Sequence, residues 1–196
     1  MNIAEKQTIA KIAEQIRDIV MQGDVSNIRL PQRLNEVGIS VEYTEDLSDE
    51  IDAYIIWDKT QNRPKIVFNL STFHKRTLFS LAHELGHLVL HWKWIPTFKN
   101  EEISVDGNSN VLSVYYRKET GYTEEEREKE YQANYFAANF LIPEEIGKNF
   151  IRQQMGSGVH AEDIISNMET TFYVSHSMAA TRFSNLLMSL SEVGNV

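Results

Sequence analysis

The sequence contains no cysteine in 196 residues. It therefore has neither a disulfide framework nor a thiolate metal site, and any metal ion must bind histidine and carboxylate side chains. A run of about 18 apolar residues is also absent, which excludes a membrane-spanning helix. Positive charge is scarce, because 19 Lys and Arg stand against 28 Asp and Glu, a net charge of −9. Since phosphate backbones attract basic surfaces, this balance argues against direct nucleic-acid binding.

The beginning of the chain carries no recognisable targeting signal. Residues 1–6 lack the basic region and apolar core of a secretory signal, and they begin an amphipathic helix instead. With 42% hydrophobic and 24% charged residues, the composition is that of an ordinary globular protein. A chain of this length can build one substantial core. We therefore expect a single cytoplasmic domain spanning residues 1–196.

The most informative stretch is residues 81–88, which contains His83-Glu84-x-x-His87. On a helix the two imidazoles lie on one face, one turn apart, where their neutral nitrogens can bind one metal ion, usually Zn²⁺. Glu84 can then reach a water at the open coordination position and act as a general base. Mn²⁺ or another divalent ion is compatible with the same residues. The alternative is a buried helix with hydrogen-bonded histidines, which does not require the glutamate.

Two histidines need a third protein ligand. His91 continues the four-residue spacing, but it lies about 12 Å of helical rise beyond His83. Three side chains from consecutive turns of one straight helix cannot converge on one ion at about 2 Å each. We therefore expect His91 at the helix end, outside the ligand set.

A carboxylate from a downstream helix is the remaining choice for the third ligand. Glu130 is the best candidate, because the charged run 124–130 gives way there to apolar residues. Glu128 and Glu126 are the alternatives. Asn134, one turn beyond Glu130, can hydrogen-bond a ligating imidazole or carboxylate.

Hydrophobic periodicity and turn residues divide the chain into helices and strands. The strands expected at 53–57 and 65–70 are separated by a polar loop and should form an antiparallel hairpin. The pattern predicts an α+β fold, mostly helical, with a small three-stranded antiparallel sheet packed against the helix that carries His-Glu-x-x-His. The predicted segments are N-terminal helices within 3–37, the sheet at 39–70, the motif helix at 72–92, a loop at 93–123, the third-ligand helix at 124–142 and C-terminal helices within 143–190.

The predicted loop 93–123 lies between the two helices that we expect to build the site. Loops of this length in compact domains are commonly functional, so it is a candidate for shaping the substrate site, or else a mobile insertion. A short strand is possible at 111–116.

Three parts of the sequence together resemble the ImmA/IrrE family of bacterial and phage metallopeptidases. Residues 79–91 resemble the family's active-site helix, and residues 130–143 resemble its second motif, in which a glutamate begins a small-residue helix that ends in proline. Residues 172–175, with Ala179, Arg182 and Phe183, resemble its downstream segment. The resemblance spans about residues 30–190, although the spacer between the first two motifs is longer than the family's usual connection.

The resemblance implies roles for individual residues. By position, His83, His87 and Glu130 correspond to the family's zinc ligands and Glu84 to its catalytic base. It also implies a protein partner, a helix-turn-helix repressor of a phage, mobile element or stress regulon, which the family cleaves or otherwise inactivates.

Three functions follow from these features. The first is a zinc-dependent endopeptidase that acts on an intracellular helix-turn-helix repressor. The second is a non-proteolytic, metal-containing antirepressor or toxin–antitoxin partner. The third, a DNA-binding helix pair within 161–187, is disfavoured by the acidic composition. An oxyanion donor is also expected, but the sequence does not single one out among Tyr115, Tyr116, His160, Tyr173 and His176.

Overall fold

The computed structural model describes residues 1–45, 47, 51–69, 75–96, 111–116 and 123–193. Among the described residues, helices come first, three consecutive strands follow them, and the chain ends in four consecutive helices. Within these ranges no helix combines the length and apolar character needed to cross a membrane. The elements in chain order are α1 Ile3–Met21, a short 3₁₀ helix Asn27–Arg29, α2 Leu30–Glu36, β1 Ser40–Thr44, β2 Ile51–Asp58, β3 Arg63–Asn69, α3 Lys75–Leu90, β4 Val111–Tyr116, α4 Glu124–Leu141, α5 Glu144–Gly156, α6 Ala161–Phe172 and α7 His176–Val193.

The sheet is mixed, with strand order β1-β3-β2-β4. The expected β2–β3 hairpin is confirmed as antiparallel, and β4 pairs antiparallel with the other edge of β2. The prediction of an entirely antiparallel three-stranded sheet is wrong, because β1 pairs with β3 in parallel, from Ser40 opposite Lys65 to Thr44 opposite Asn69. The reason is strand order. Since β2 lies beyond β3 and not beside β1, the returning β3 runs in the same direction as β1.

Residues 111–116 form β4, the possible short strand inside the predicted loop 93–123. Most of that segment, residues 97–110 and 117–122, lies outside the described residues. The expectation that it shapes the substrate site therefore stays a prediction.

Side-chain caps fix the starts of the two longest helices before α5. Asn2 and Glu5 form a capping box at α1, and Thr123 and Glu126 form another at α4. In such a box two backbone N–H groups of the first turn gain acceptors that the helix itself cannot supply. α4 ends at Leu141, Pro143 occupies the N-cap of α5, and α5 begins at Glu144, three residues after the end of α4.

The motif helix α3 is buried along most of its length. Its residues contact α4 on one side and strands β2 and β3 on another. Leu81, Leu85 and Leu88 are each 0% exposed and belong to the main hydrophobic cluster. The polar residues of the motif are therefore carried within the core, where they need specific partners.

Two buried polar side chains secure the carboxyl end of α4. Arg17 Nη1 donates to Phe140 O at 2.8 Å, and Asn27 Nδ2 donates to Leu141 O at 3.0 Å. Asn27 Nδ2 also donates to the end of α6, at Phe172 O, over 2.7 Å. Helix C-termini leave carbonyls without intrahelical partners, so these bonds hold α4 in one position against α1 and α6.

Candidate metal centre

Helix α3 brings the three residues of the motif into the core. His83 and Glu84 are 0% exposed and His87 is 5% exposed. His83 Nε2 lies 3.0 Å from His87 Nε2, so the two rings meet one helical turn apart, as the four-residue spacing predicts.

Glu130 completes a cluster of three potential ligands. It lies on α4, is 8% exposed, and places Oε2 3.2 Å from His83 Nε2 and Oε1 3.1 Å from His87 Nε2. The three residues form a group whose ligand atoms all lie within 4.8 Å of one another. The structure therefore brings together the two histidines and the carboxylate that the sequence singled out.

The spacing of these atoms suits a small divalent cation. Three ligand atoms bound tetrahedrally at about 2.1 Å lie about 3.4 Å from one another. The nitrogen and oxygen atoms here are separated by 3.0 to 3.2 Å, so small adjustments suffice. A donor set of two imidazoles and one carboxylate is typical of catalytic zinc sites, and it leaves a fourth position for water or substrate.

The hydrogen bond to Asn134 sets the tautomer of His83. Asn134 Oδ1 accepts from His83 Nδ1 at 2.9 Å. With its proton on Nδ1, the neutral ring presents Nε2 to the cluster as a ligand atom. This hydrogen bond is the interaction expected from the position of Asn134, one turn beyond Glu130.

His87 is oriented by a longer chain of hydrogen bonds. His91 Nε2 lies 3.1 Å from Gln132 Oε1, an oxygen that can only accept, so His91 carries its proton on Nε2. His91 Nδ1 then accepts from His87 Nδ1 at 2.9 Å. This arrangement leaves Nε2 of His87 unprotonated and facing the cluster. His91 lies outside the ligand set, as expected, while the part played by Gln132 was not predicted.

The pKa values favour the protonation states that a cation needs. Burial lowers the pKa of His83, although Glu130 opposes this effect. Burial also lowers the pKa of His91, to about 4. For Glu130, burial alone would raise the pKa, but His83 and His87, when protonated, outweigh burial and lower the pKa to about 2. At neutral pH the cluster therefore contains a neutral His83 and an ionised carboxylate, which are the ligating forms.

A glycine permits α4 to approach α3 closely. A Cβ at Gly86 would lie 3.0 Å from a ring carbon of Phe136 and 3.2 Å from the carbonyl oxygen of Ala133. Because Gly86 lies between His83 and His87 on α3, this contact occurs beside the cluster. The close approach brings Glu130 within reach of both histidines.

The alternative carboxylates have other partners. Glu126 Oε2 accepts from the backbone N of Thr123 at 2.7 Å within the capping box, and Glu128 Oε1 lies 3.0 Å from the amino terminus of Met1. Neither belongs to the metal-ligand group found among the described residues.

The structure assigns no oxyanion donor. His176 binds Glu169 at 3.2 Å, and the ring of Tyr173 lies 5.5 Å from the Lys75 ammonium. His160 is exposed at the N-cap of α6. The side chains of Tyr115 and Tyr116 lie outside the described part of the chain.

Residues 34–184 match the peptidase M78 family, described as the IrrE N-terminal-like domain. This match covers more than half of the chain, which therefore belongs to that family and has a metallopeptidase-type domain. A search among curated proteins found no match. Membership in a peptidase family implies a protein substrate, and the buried His83, His87 and Glu130 can accommodate a divalent ion.

Proposed function

We propose that this protein is a zinc-dependent endopeptidase, with His83, His87 and Glu130 as metal ligands and Glu84 as the general base. The observation that carries the proposal is the convergence of two imidazoles from α3 and a carboxylate from α4 within 3.0 to 3.2 Å in a buried cluster. Family membership supports the peptidase chemistry. One hydrophobic cluster that includes residues from α1 to α7 supports a single zincin-like domain.

Zinc, when bound by such a donor set, acidifies a water molecule and polarises the carbonyl of the scissile peptide. Glu84 accepts one proton from the attacking water and passes it to the leaving amine. A C–O bond forms and the C–N bond breaks. The second proton of the water leaves the new carboxyl group, so the products are a carboxylate and a protonated amine. The hydrogen bonds from Asn134 and His91 hold the two imidazoles in their ligating tautomers. Mn²⁺ or another divalent ion could occupy the same ligands.

The proposed substrate is a cytoplasmic helix-turn-helix repressor. This part of the proposal is supported by the resemblance of the active-site and second motifs to ImmA/IrrE proteins. The net charge of −9 supports action on the repressor itself and not on its DNA. The alternative is a non-proteolytic antirepressor or toxin–antitoxin partner that retains the metal and inactivates its target by occlusion.

The substitution Glu84→Gln separates these two functions. The purified wild-type and variant proteins are loaded with Zn²⁺ and incubated with the helix-turn-helix repressor encoded beside the gene. We expect fragments on a denaturing gel with the wild type only, and equal metal content in both proteins. Persistent derepression by the variant with an uncut repressor would establish occlusion and exclude the peptidase. Cleavage that survives full chelation would exclude a metal-dependent reaction.

A further inference from the structure

A cleft of about 510 Å³ lies between α3, α4 and α7, beside the metal cluster. Its walls are mainly apolar, with contributions from Phe79 of α3, Ala138 of α4 and Met178 of α7. None of the three cluster residues lines it. The cleft is therefore distinct from the metal cluster.

The charge of this cleft is opposite to that of the whole protein. Arg76 and Arg182 line it, while no aspartate or glutamate does so in the described part of the chain. The chain as a whole has a net charge of −9. The first turn of α7 also lines the cleft through Ser175 and Ser177, and the N-terminal end of a helix favours negative charge. An anionic group is thus attracted to the cleft, although the rest of the surface repels it.

Arg182 is buried, and part of its guanidinium is still available for a ligand. It is 6% exposed, with Nε donating to Ile142 O at 3.0 Å and Nη2 donating to Asn139 Oδ1 at 2.8 Å. Two of its three nitrogens therefore bind α4 and the residue that follows it. Nη1 donates to none of the described residues, and none of their carboxylates lies within ion-pair distance of Arg182. Burial lowers the pKa of Arg182 to about 10, so the group remains cationic at neutral pH.

The second arginine is partly neutralised. Arg76 Nη2 lies 2.9 Å from Asp52 Oδ2, and its side chain is 58% exposed at the rim. Arg182 has neutral hydrogen-bond partners and its charge is partly offset by Glu144, while Arg76 at the rim is already paired. This charge balance suits a single negative charge better than a doubly charged phosphate. Because the walls are apolar, the part of the ligand next to that negative charge should be uncharged and hydrophobic.

The cleft adjoins the metal cluster through Asn134 of α4. Asn134 lines the cleft and also accepts the hydrogen bond from His83. Phe79 and Ser80 precede His83 by four and three residues, a distance of about 5 to 6 Å along the helix axis. An extended peptide advances about 3.3 Å per residue. A polypeptide bound at the metal cluster can therefore extend along α3 toward the cleft, over about two residues.

We propose that this cleft is a specificity subsite that binds an apolar residue next to an acidic residue in the protein substrate. The apolar side chain packs against Phe79, Ala138 and Met178, and the carboxylate accepts a hydrogen bond from Arg182 Nη1. That the ligand is a polypeptide rests on the proposed peptidase function. It adds a substrate preference close to the cleaved bond.

Peptide binding to the full-length Glu84→Gln protein loaded with Zn²⁺ tests the subsite without cleavage. The probes are short fluorescein-labelled peptides that differ only in a central pair: leucine–glutamate, leucine–glutamine, serine–glutamate, leucine–lysine and leucine–phosphoserine. Fluorescence anisotropy measures each dissociation constant. We expect the leucine–glutamate peptide to bind at least about tenfold more tightly than each of the others.

Variants on α7 provide a matched comparison. Thr181 and Asn185 are exposed residues that line the cleft, whereas Ser184 is exposed on the same helix outside it. Thr181→Glu and Asn185→Glu each place a carboxylate in the cleft and should weaken binding of the leucine–glutamate peptide at least about tenfold. Ser184→Glu adds the same charge elsewhere and should change binding less than about twofold.

Several results would overturn the subsite. They are equal binding of all five peptides, absence of binding up to about 1 mM, tighter binding of the phosphoserine peptide, or equal effects of Thr181→Glu and Ser184→Glu. Failure of the peptidase proposal alone gives a different result. The repressor then stays uncleaved, while the protein still binds the peptides selectively. Cleavage of the repressor by a protein that shows no peptide selectivity would instead retain the peptidase and reject the subsite.

Discussion

Each histidine of the cluster uses one ring nitrogen for the site and the other for the surrounding protein. His83 Nδ1 binds Asn134, and His87 Nδ1 binds His91, which in turn binds Gln132. Asn134 could be anticipated from its position on the helix of Glu130. Gln132 could not, because residues two apart on a helix do not share a face. Only the packing of α4 against the end of α3 brings Gln132 to His91.

Gln132 should therefore influence metal affinity without contacting the metal. Gln132→Leu removes the acceptor that holds the proton on His91 Nε2, so we expect metal affinity to fall about 10- to 100-fold. Gln132→Glu retains an acceptor oxygen and should stay near the wild type. Competition with a chromophoric chelator measures both affinities. Equal affinities for the leucine and glutamate variants would show that the hydrogen-bond chain does not orient His87.

Metal affinity should also depend on pH in a defined direction. Metal binding requires neutral imidazoles, and burial lowers the pKa of His83 below its ordinary value of 6.5. Affinity should therefore be highest near and above neutral pH and fall as the pH drops into the acidic range. Glu130, with a pKa of about 2, remains ionised throughout this range. Chelator competition between about pH 5 and pH 8 tests this dependence; an affinity that falls as pH rises would contradict it.

At the scale of elements, the site depends on how closely α3 and α4 approach each other. Their apolar pattern is a local property, and the sequence predicted both helices to within a few residues of their observed bounds. The distance between them is not local. It depends on Gly86 facing Ala133 and Phe136, and on Arg17 and Asn27 securing the end of α4.

Gly86→Ala should disturb both stability and metal binding. The added methyl group would lie 3.2 Å from the backbone oxygen of Ala133, so α4 must shift. We expect a loss of about 1–3 kcal/mol in the free energy of unfolding, measured by urea denaturation, together with weaker metal binding because Glu130 moves with α4.

Gly156→Ala is the matched control for this substitution. Gly156 ends α5, and nothing lies within 4 Å of the position where its Cβ would be. It should leave metal affinity unchanged and alter stability by less than about 1 kcal/mol, in the stabilising direction. If both alanine variants behave alike, the close approach at Gly86 does not position Glu130.

At the scale of the whole molecule, the cluster joins parts of the chain that are far apart in sequence. His83 and Glu130 are separated by a segment that includes β4 at the edge of the sheet. The hydrophobic cluster includes residues from α1 to α7, so the proposed metal ligands are held by a core to which helices at both ends of the chain contribute. A cation bound by residues of both α3 and α4 should therefore stabilise the whole folded structure against unfolding.

Zinc should raise the melting temperature of the wild-type protein by several degrees. Ligand present at about 100 times its dissociation constant adds about 2.7 kcal/mol to the folded state when the unfolded chain does not bind it. Thermal unfolding with Zn²⁺ and with a chelator measures the difference. Glu84→Gln should retain the shift, while His87→Ala should lose it. A shift of equal size in the His87→Ala protein would place the bound metal elsewhere.

The sequence by itself determined the local features of this protein. The four-residue spacing of His83 and His87 and the hairpin of β2 and β3 follow from helix periodicity and strand propensity, which are properties of neighbouring residues. The class of metal ligand followed from the absence of cysteine.

Tertiary structure alone decided the partners of these elements. It placed β1 beside β3 in parallel, brought Gln132 to His91, and opened a cleft lined by Arg76 and Arg182 in an acidic protein. Such pairings depend on which arrangement buries the most apolar surface across the whole chain, a sum that no short stretch of sequence contains.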